Sequence, residues 1–216
     1  MNRDNPYNLI FDFDGTLVDS FYAVVQQFSQ LAENFNFHKI ENSEIEGLKK
    51  LTSQELIKYL KIPIYKLPSV MQQAREALRN EVPNLATFIS LPEVLTELHQ
   101  LNCCLGILTS NSSENVVAWL KQHKLNHLFN FIHAESSYFG KKQMLKKIIK
   151  TYKMDSLQTF FIGDETRDIE AAQKCNVTSI AVSWGFNTEE TLLGFKPDYL
   201  AKTPKDLLTI IERFKP

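Results

Sequence analysis

Hydrophobic positions change their spacing twice along this chain. Leu9-Ile10-Phe11 is an unbroken apolar run of the length of a buried strand. From about Phe21 to Ala86 apolar residues recur at helical spacing, and no convincing strand interrupts them. Asn42-Ser43 and Thr52-Ser53 read there as helix starts, Pro63 and Pro68 as helix stops. From about Leu91 onward helices and strands alternate. Pro92 suits a first helical turn, and Val94, Leu95, Leu98 and Leu101 form its apolar stripe. Cys103 to Leu108 reads as a strand ending in Thr109-Ser110-Asn111, and Ser112 or Ser113 caps the helix carrying Val116, Val117 and Leu120. Phe129 to Ala134 is a short strand; Lys141 to Tyr152 is a helix with Leu145, Ile148 and Ile149 on one face. Thr159 to Gly163 is a strand followed by a helix through Ala172, Val177 to Ser183 is another strand, and a helix runs from about Pro204 to Phe214.

This alternation predicts an α/β fold, a doubly wound parallel sheet covered by helices on both faces. The helical stretch reads as a small bundle inserted after the first strand. The expected division is an α/β core of residues 1–18 and 87–216, with an all-helical domain of residues 19–86.

Composition narrows the function classes. The 216 residues are 44% hydrophobic and 23% charged, with a formal net charge of −1. Nothing there favours nucleic acid or a membrane surface. Met1-Asn2-Arg3-Asp4-Asn5-Pro6 is polar and the apolar run after it is too short for a secretion signal. Cys103, Cys104 and Cys175 lie in apolar surroundings, so buried thiols in a reducing cytoplasm are expected. His123 and His127 fall at a helix end beside Lys121 and Lys124, which reads as surface rather than zinc. Trp184 reads as packing.

The chemistry concentrates at four strand ends. Asp12 and Asp14 follow the first strand, and two carboxylates buried together require a cation or an array of donors. Thr109, Ser110 and Asn111 combine a hydroxyl with the free N–H groups of a starting helix, a phosphate cradle. Lys141 opens a helix after Phe139-Gly140. Gly163-Asp164-Glu165-Thr166-Arg167-Asp168 follows directly on a strand, and Asp164 and Asp168, four apart, share a face of a helix opening.

In this order the four sites resemble the motifs of the haloacid dehalogenase-like hydrolases, mostly phosphatases, with a Rossmann-like core and a helical cap after the first strand. Phe11-Asp12-Phe13-Asp14-Gly15-Thr16-Leu17-Val18-Asp19-Ser20 is similar to the first motif, and Gly163-Asp164 with Asp168 to the fourth. Val182-Ser183-Trp184-Gly185-Phe186 and Lys196-Pro197-Asp198-Tyr199-Leu200 resemble late segments of the phosphoglycolate phosphatase-like branch. The resemblance implies a small phosphorylated metabolite as substrate and Mg²⁺ as cofactor. It makes Asp12 the nucleophile forming an aspartyl-phosphate and Asp14 the acid and base. Asp12, the Asp14 carbonyl and Asp164 would hold Mg²⁺, supported by Asp168 and by Glu165. Thr109, with Ser110 and Asn111, and Lys141 would hold the phosphoryl oxygens. Two departures stand out: Lys142 occupies a position where the family often has proline, leaving Lys141 or Lys142 as the motif lysine with Lys141 favoured after Gly140, and Glu165 replaces a small hydroxyl residue.

Other activities occur in the same family. Dehalogenation needs neither a second acid nor a metal, so Asp14 and Asp164 argue against it. A phosphomutase of the β-phosphoglucomutase type keeps both acids and remains an alternative, as does a non-catalytic binding protein on the same fold. Phosphonate hydrolysis needs a cap lysine forming a Schiff base, and nothing distinguishes one among Lys49, Lys50, Lys58, Lys61 and Lys66. Gly47-Leu48-Lys49-Lys50-Leu51-Thr52-Ser53 either lines the cap entrance or carries ordinary exposed helix charge.

Overall fold

A computed structural model describes residues 7–134 and 140–214; Met1–Pro6 and Phe139, which entered the reading above, lie outside the described residues. Six strands form one sheet: β1 (Asn8–Phe11), β2 (Cys104–Thr109), β3 (Phe131–Ala134), β4 (Thr159–Gly163), β5 (Thr178–Val182) and β6 (Tyr199–Ala201). All pairings are parallel, in the order β3-β2-β1-β4-β5-β6. β1 pairs with β2 on one side and β4 on the other, so the chain winds outward in both directions from β1 and a crevice opens at the carboxyl ends of these three strands.

Alternation along β1 decides which helices cover which face. Leu9 and Phe11 pack with Leu95 of α5 (Leu91–Gln100), Trp119 of α6 (Ser113–Gln122) and Leu207 of α10 (Pro204–Glu212). Ile10 points the other way, onto Leu145 and Ile148 of α7 (Lys141–Tyr152) and Ala171 and Ala172 of α8 (Thr166–Cys175). Cys103 and Cys104 divide between the same two faces, as adjacent residues of an extended chain must.

Between β1 and α5 lie α1 (Phe21–Phe35), α2 (Ile45–Leu48), α3 (Ser53–Tyr59) and α4 (Leu67–Leu78). They share an apolar cluster of their own, built on Leu48, Ile57, Leu60 and Val70. Thr52 caps α3 in a reciprocal box with Glu55. Two expectations need correction. Pro68 begins α4 instead of stopping a helix, because a residue without an N–H costs nothing in a first turn. Likewise α2 starts after Glu44, not at Asn42-Ser43.

Near the carboxyl end α9 (Glu189–Gly194) and β6 escaped the pattern reading. Among the described residues no helix is long and apolar enough to cross a membrane.

Candidate active site

β1 ends at Phe11, and the chain then turns with Asp12 and Asp14 facing the crevice while Phe13 drops into the core against Trp119 at 5.5 Å. Gly15 makes this turn possible: its φ is +75°, and a side chain there would collide with the Asp164 carboxylate. Asp12 is held from several directions. Its N–H donates to Ile162 O at 2.8 Å, its Oδ1 accepts from Phe13 N at 2.8 Å, and its Oδ2 accepts from Lys141 Nζ.

Lys141, the first residue of α7, is 5% exposed and also donates to Asp168 Oδ1. Lys142 is exposed, so geometry brings Lys141 to the carboxylates and leaves its neighbour outside. Asp164 lies in the turn between β4 and α8, not on the helix as expected; Thr16 Oγ1 donates to its Oδ1 at 2.6 Å and Phe186 N to its Oδ2 at 2.7 Å. Asp168 sits in the first turn of α8, and its Oδ2 accepts from Glu165 N at 3.1 Å. Oxygens of Asp12, Asp164 and Asp168 lie within 4.8 Å of one another, all three side chains buried.

Asp14 points elsewhere. Its Oδ1 accepts from Ser20 Oγ and its Oδ2 from Asn111 Nδ2, each at 2.9 Å. Asn111 therefore braces a carboxylate, and it passes the connection on: Asn115 Nδ2 donates to Asn111 Oδ1 at 2.9 Å and also reaches Arg75 O on α4 at 3.3 Å. Thr109 Oγ1, buried at the end of β2, accepts from Asn111 N at 2.9 Å, and Ser110 lines the cavity.

Five carboxylates (Asp12, Asp14, Asp164, Glu165, Asp168) gather here with Lys141 and Arg167, and Arg75 lines the same cavity within electrostatic reach of Asp14. Burial, and then the Asp12 charge, push Asp14 up to about 6. Burial also raises Asp168 to about 6, with Asp12 and Glu165 adding to it against Lys141 and Arg167. Asp164 is raised by burial, Asp12, Glu165 and Asp168 together. Burial and Arg167 oppose the charge on Lys141, but Asp12, Asp168 and Glu165 prevail and hold it above its ordinary value. Glu165 is lowered despite burial, because Arg167, Lys141 and the Ser53 hydroxyl favour its charged form. A surplus of buried, hard oxygen donors with three carboxylates converging is a fit for a small divalent cation.

A scan against family models matches residues 9–182 to "Haloacid dehalogenase-like hydrolase". The chain belongs to the haloacid dehalogenase-like hydrolases. Among curated relatives, "Phosphoglycolate phosphatase" of Synechococcus elongatus is 32% identical over 203 residues, covering 94% of this chain and 96% of that protein. "Pyrophosphatase PpaX" of Oceanobacillus iheyensis is 26% identical, with 94% and 95% covered. Among solved structures, a predicted phosphatase from Clostridium acetobutylicum superposes with a TM-score of 0.83 at 21% identity, covering 96% of this chain and 99% of that one. That likeness shows the shared fold.

Several residues of this hydrolase's site were not legible in advance. Asn187 donates to Lys49 O at 3.1 Å and Leu51 O at 2.9 Å while its Oδ1 accepts from Thr166 N at 3.1 Å, tying the helical segment to the core beside α8. Ser53 Oγ donates to Glu165 Oε2 at 2.7 Å across the same seam. The one advance signal for Asn115 was its place three residues after the capping Ser112. Of the residues set aside, Trp184 donates to Thr16 O at 3.2 Å as a packing residue, and His123 is half-buried, stacked on Trp119 at 4.3 Å instead of lying on the open surface.

Proposed function

We propose that this hydrolase is a Mg²⁺-dependent phosphatase acting on a small phosphomonoester through an aspartyl-phosphate on Asp12. The observation that carries the reading is the division of labour between two neighbouring carboxylates. Asp12 accepts from the Lys141 ammonium, while Asp14, two residues on and facing the same cavity, is pushed up to about 6, chiefly by burial. One is suited to attack phosphorus and the other to carry a proton, the separation that paired acid and nucleophile chemistry requires.

In this reading Asp12 attacks phosphorus and the ester oxygen leaves with a proton from Asp14. Asp14 then accepts a proton from the water that hydrolyses the acyl phosphate, regenerating both groups. Lys141, Thr109 and the Ser110–Asn111 turn, whose Asn111 N–H now donates to Thr109 Oγ1 and would have to exchange that bond for one to the ligand, hold the phosphoryl oxygens, and Lys141 offsets their repulsion by the carboxylates. Asp12, the Asp14 carbonyl, Asp164 and Asp168 would hold Mg²⁺, which when bound supplies neutralising charge opposite the phosphoryl group. Residues 19–86 act as a helical cap over a core of residues 1–18 and 87–216, so the leaving alcohol is read by the cap.

The relatives named for phosphoglycolate and pyrophosphate point to small phosphorylated metabolites met in the cytoplasm. The test is phosphate release from a panel of small phosphomonoesters, with and without Mg²⁺, wild type beside Asp12→Asn. Metal-dependent release lost in the variant is expected; release surviving in Asp12→Asn would remove the nucleophile.

A further inference from the structure

The cavity in front of Asp12 is lined from the core by Asp12, Asp14, Ser110 and Asn111, and from the helical segment by Arg75 of α4. Among the described residues lining it, Arg75 is the cation that the helical segment contributes; Lys141 and Arg167 stand on the core side, against Asp12 and Asp168 and against Glu165. Arg75 is half-buried, and its Nε donates to Met71 O, one turn back on α4, at 2.9 Å. Its carbonyl oxygen ends a hydrogen-bonded chain that starts at Asp14. Asn111 Nδ2 donates to Asp14 Oδ2 at 2.9 Å, Asn115 Nδ2 to Asn111 Oδ1 at 2.9 Å, and Asn115 Nδ2 also to Arg75 O at 3.3 Å. This turn of α4 is thereby indexed to the carboxylate placed to carry the proton. Burial works against the Arg75 charge, and Asp14 works for it.

We propose that Arg75 is the specificity-determining residue of this site, and that its guanidinium binds an oxyanion, a carboxylate or a second phosphoryl group, carried by the leaving alcohol. The inference rests on the phosphatase reading and deepens it. In that reading the leaving oxygen takes its proton from Asp14, so the atoms attached to it extend from Asp14 into the cavity that Arg75 lines. A guanidinium is a planar fork of donors that matches carboxylate and phosphate oxygens, and the Nε bond to Met71 O holds that plane on α4. Val25, Phe28 and Met71 line the same cavity, and beside apolar groups the attraction between guanidinium and oxyanion is less screened than in water. Asp12, Asp14 and Glu165, on the cavity's core side, repel a second anion. Selecting one therefore takes a cation on the leaving-group side, and Arg75 stands there.

The probes are phosphoglycolate and its amide, which differ in charge and hardly in shape, assayed for phosphate release with Mg²⁺. The wild type is expected to prefer the acid about 10-fold to 100-fold in kcat/KM, mainly through KM, the range of a hydrogen bond to a charged group. In Arg75→Gln the ratio should fall to one or below, because the carboxylates then repel the acid without Arg75 to offset them. Arg75→Lys, which keeps the charge and loses the fork, should lie between. Each ratio is taken within one protein, so partial unfolding of a variant cancels. Ethanediol bisphosphate against hydroxyethyl phosphate repeats the comparison for a second phosphoryl group, and the pair with the larger Arg75-dependent ratio identifies the oxyanion. The non-hydrolysable phosphonopropionate and its amide are titrated into wild type and Arg75→Gln by calorimetry. Hydrolysis with no preference in either pair, or a preference that survives intact in Arg75→Gln, would overturn this inference and leave the phosphatase standing. Arg75-dependent binding of phosphonopropionate with no ester hydrolysed would overturn the phosphatase and keep the oxyanion at Arg75.

Discussion

Lys141 Nζ donates to Asp12 Oδ2, a contact that sets it apart from Lys142, the next residue of α7. The ammonium is buried between Asp12 and Asp168, while the Lys142 side chain is exposed. Removing a preorganised cation from a water-poor site costs on the order of 10²–10³-fold in rate. Lys141→Ala is therefore expected to lower kcat by that factor, with Lys142→Ala within about twofold of wild type, since an exposed charge is well screened. Steady-state rates of both variants on one ester check this, and equal losses would withdraw Lys141 from its place in the site.

Cation binding should show in stability as well as in rate. Asp12, Asp164 and Asp168 converge within 4.8 Å, and Asp164 receives Thr16 Oγ1 and Phe186 N, with no ion pair of its own among the described residues. A divalent ion that binds only the folded chain raises Tm with concentration. Mg²⁺ titrated into the wild type is expected to raise Tm progressively, and chelator to reverse the rise. In Asp164→Asn the dependence should disappear, because an amide can satisfy Phe186 N and Thr16 while contributing no charge. Scanning calorimetry across a Mg²⁺ series reads this directly; an undiminished Mg²⁺ response in Asp164→Asn would place the ion elsewhere.

The parallel sheet was legible because its strands are covered on both sides, so Leu9-Ile10-Phe11 and Thr159-Phe160-Phe161-Ile162 read as unbroken apolar runs. Asp12 and Asp14 were legible for the opposite reason, as charge where burial forbids it. β6 spans only Tyr199–Ala201 at the sheet edge, too short for any period to register, and α9 has only six residues. Pro68 was misread because proline marks both ends of helices, and local sequence does not say which. The Asn111 side chain donates to Asp14 and accepts from Asn115, which in turn donates to Arg75 O on another helix. Such pairings are set by tertiary packing, which no local pattern encodes.

The seam between the helical segment and the core makes a separate prediction. Asn187 is 5% exposed and uses its side chain three times, on Lys49 O, Leu51 O and Thr166 N. Asn187→Ala leaves those groups without this partner, at a cost of about 1–3 kcal/mol per buried unsatisfied group, reduced wherever water enters. Expected is a lower urea midpoint with an unchanged m-value, together with a KM raised severalfold as residues 49–51 lose their anchor on the core. A variant matching the wild type in both would mean the seam is held by the other bonds across it, Ser53 to Glu165, Thr188 N to Lys49 O and Thr191 Oγ1 to Lys50 O.

Glu44 supplies a pH dependence outside the cluster of Asp12, Asp14, Asp164 and Asp168. The Tyr59 hydroxyl, then Glu41 N, which reaches it at 2.7 Å, and then His38 lower it from 4.5 to about 2. A carboxyl whose folded value is depressed contributes stability that is complete above its unfolded value and is lost as pH falls toward the folded one. The contribution is therefore present at pH 5 and above and declines between pH 4.5 and about 2. Glu44→Gln keeps an acceptor but no charge, so it is expected to be less stable than wild type at pH 5 and to converge on it below pH 4. The site is open to solvent, which keeps the difference small and makes a paired comparison necessary. Urea unfolding of both proteins at pH 7, 5, 4 and 3.5 measures the gap at each point. A gap that persists undiminished at pH 3.5 would show that Glu44 acts through its shape and its hydrogen bonds, not through its charge.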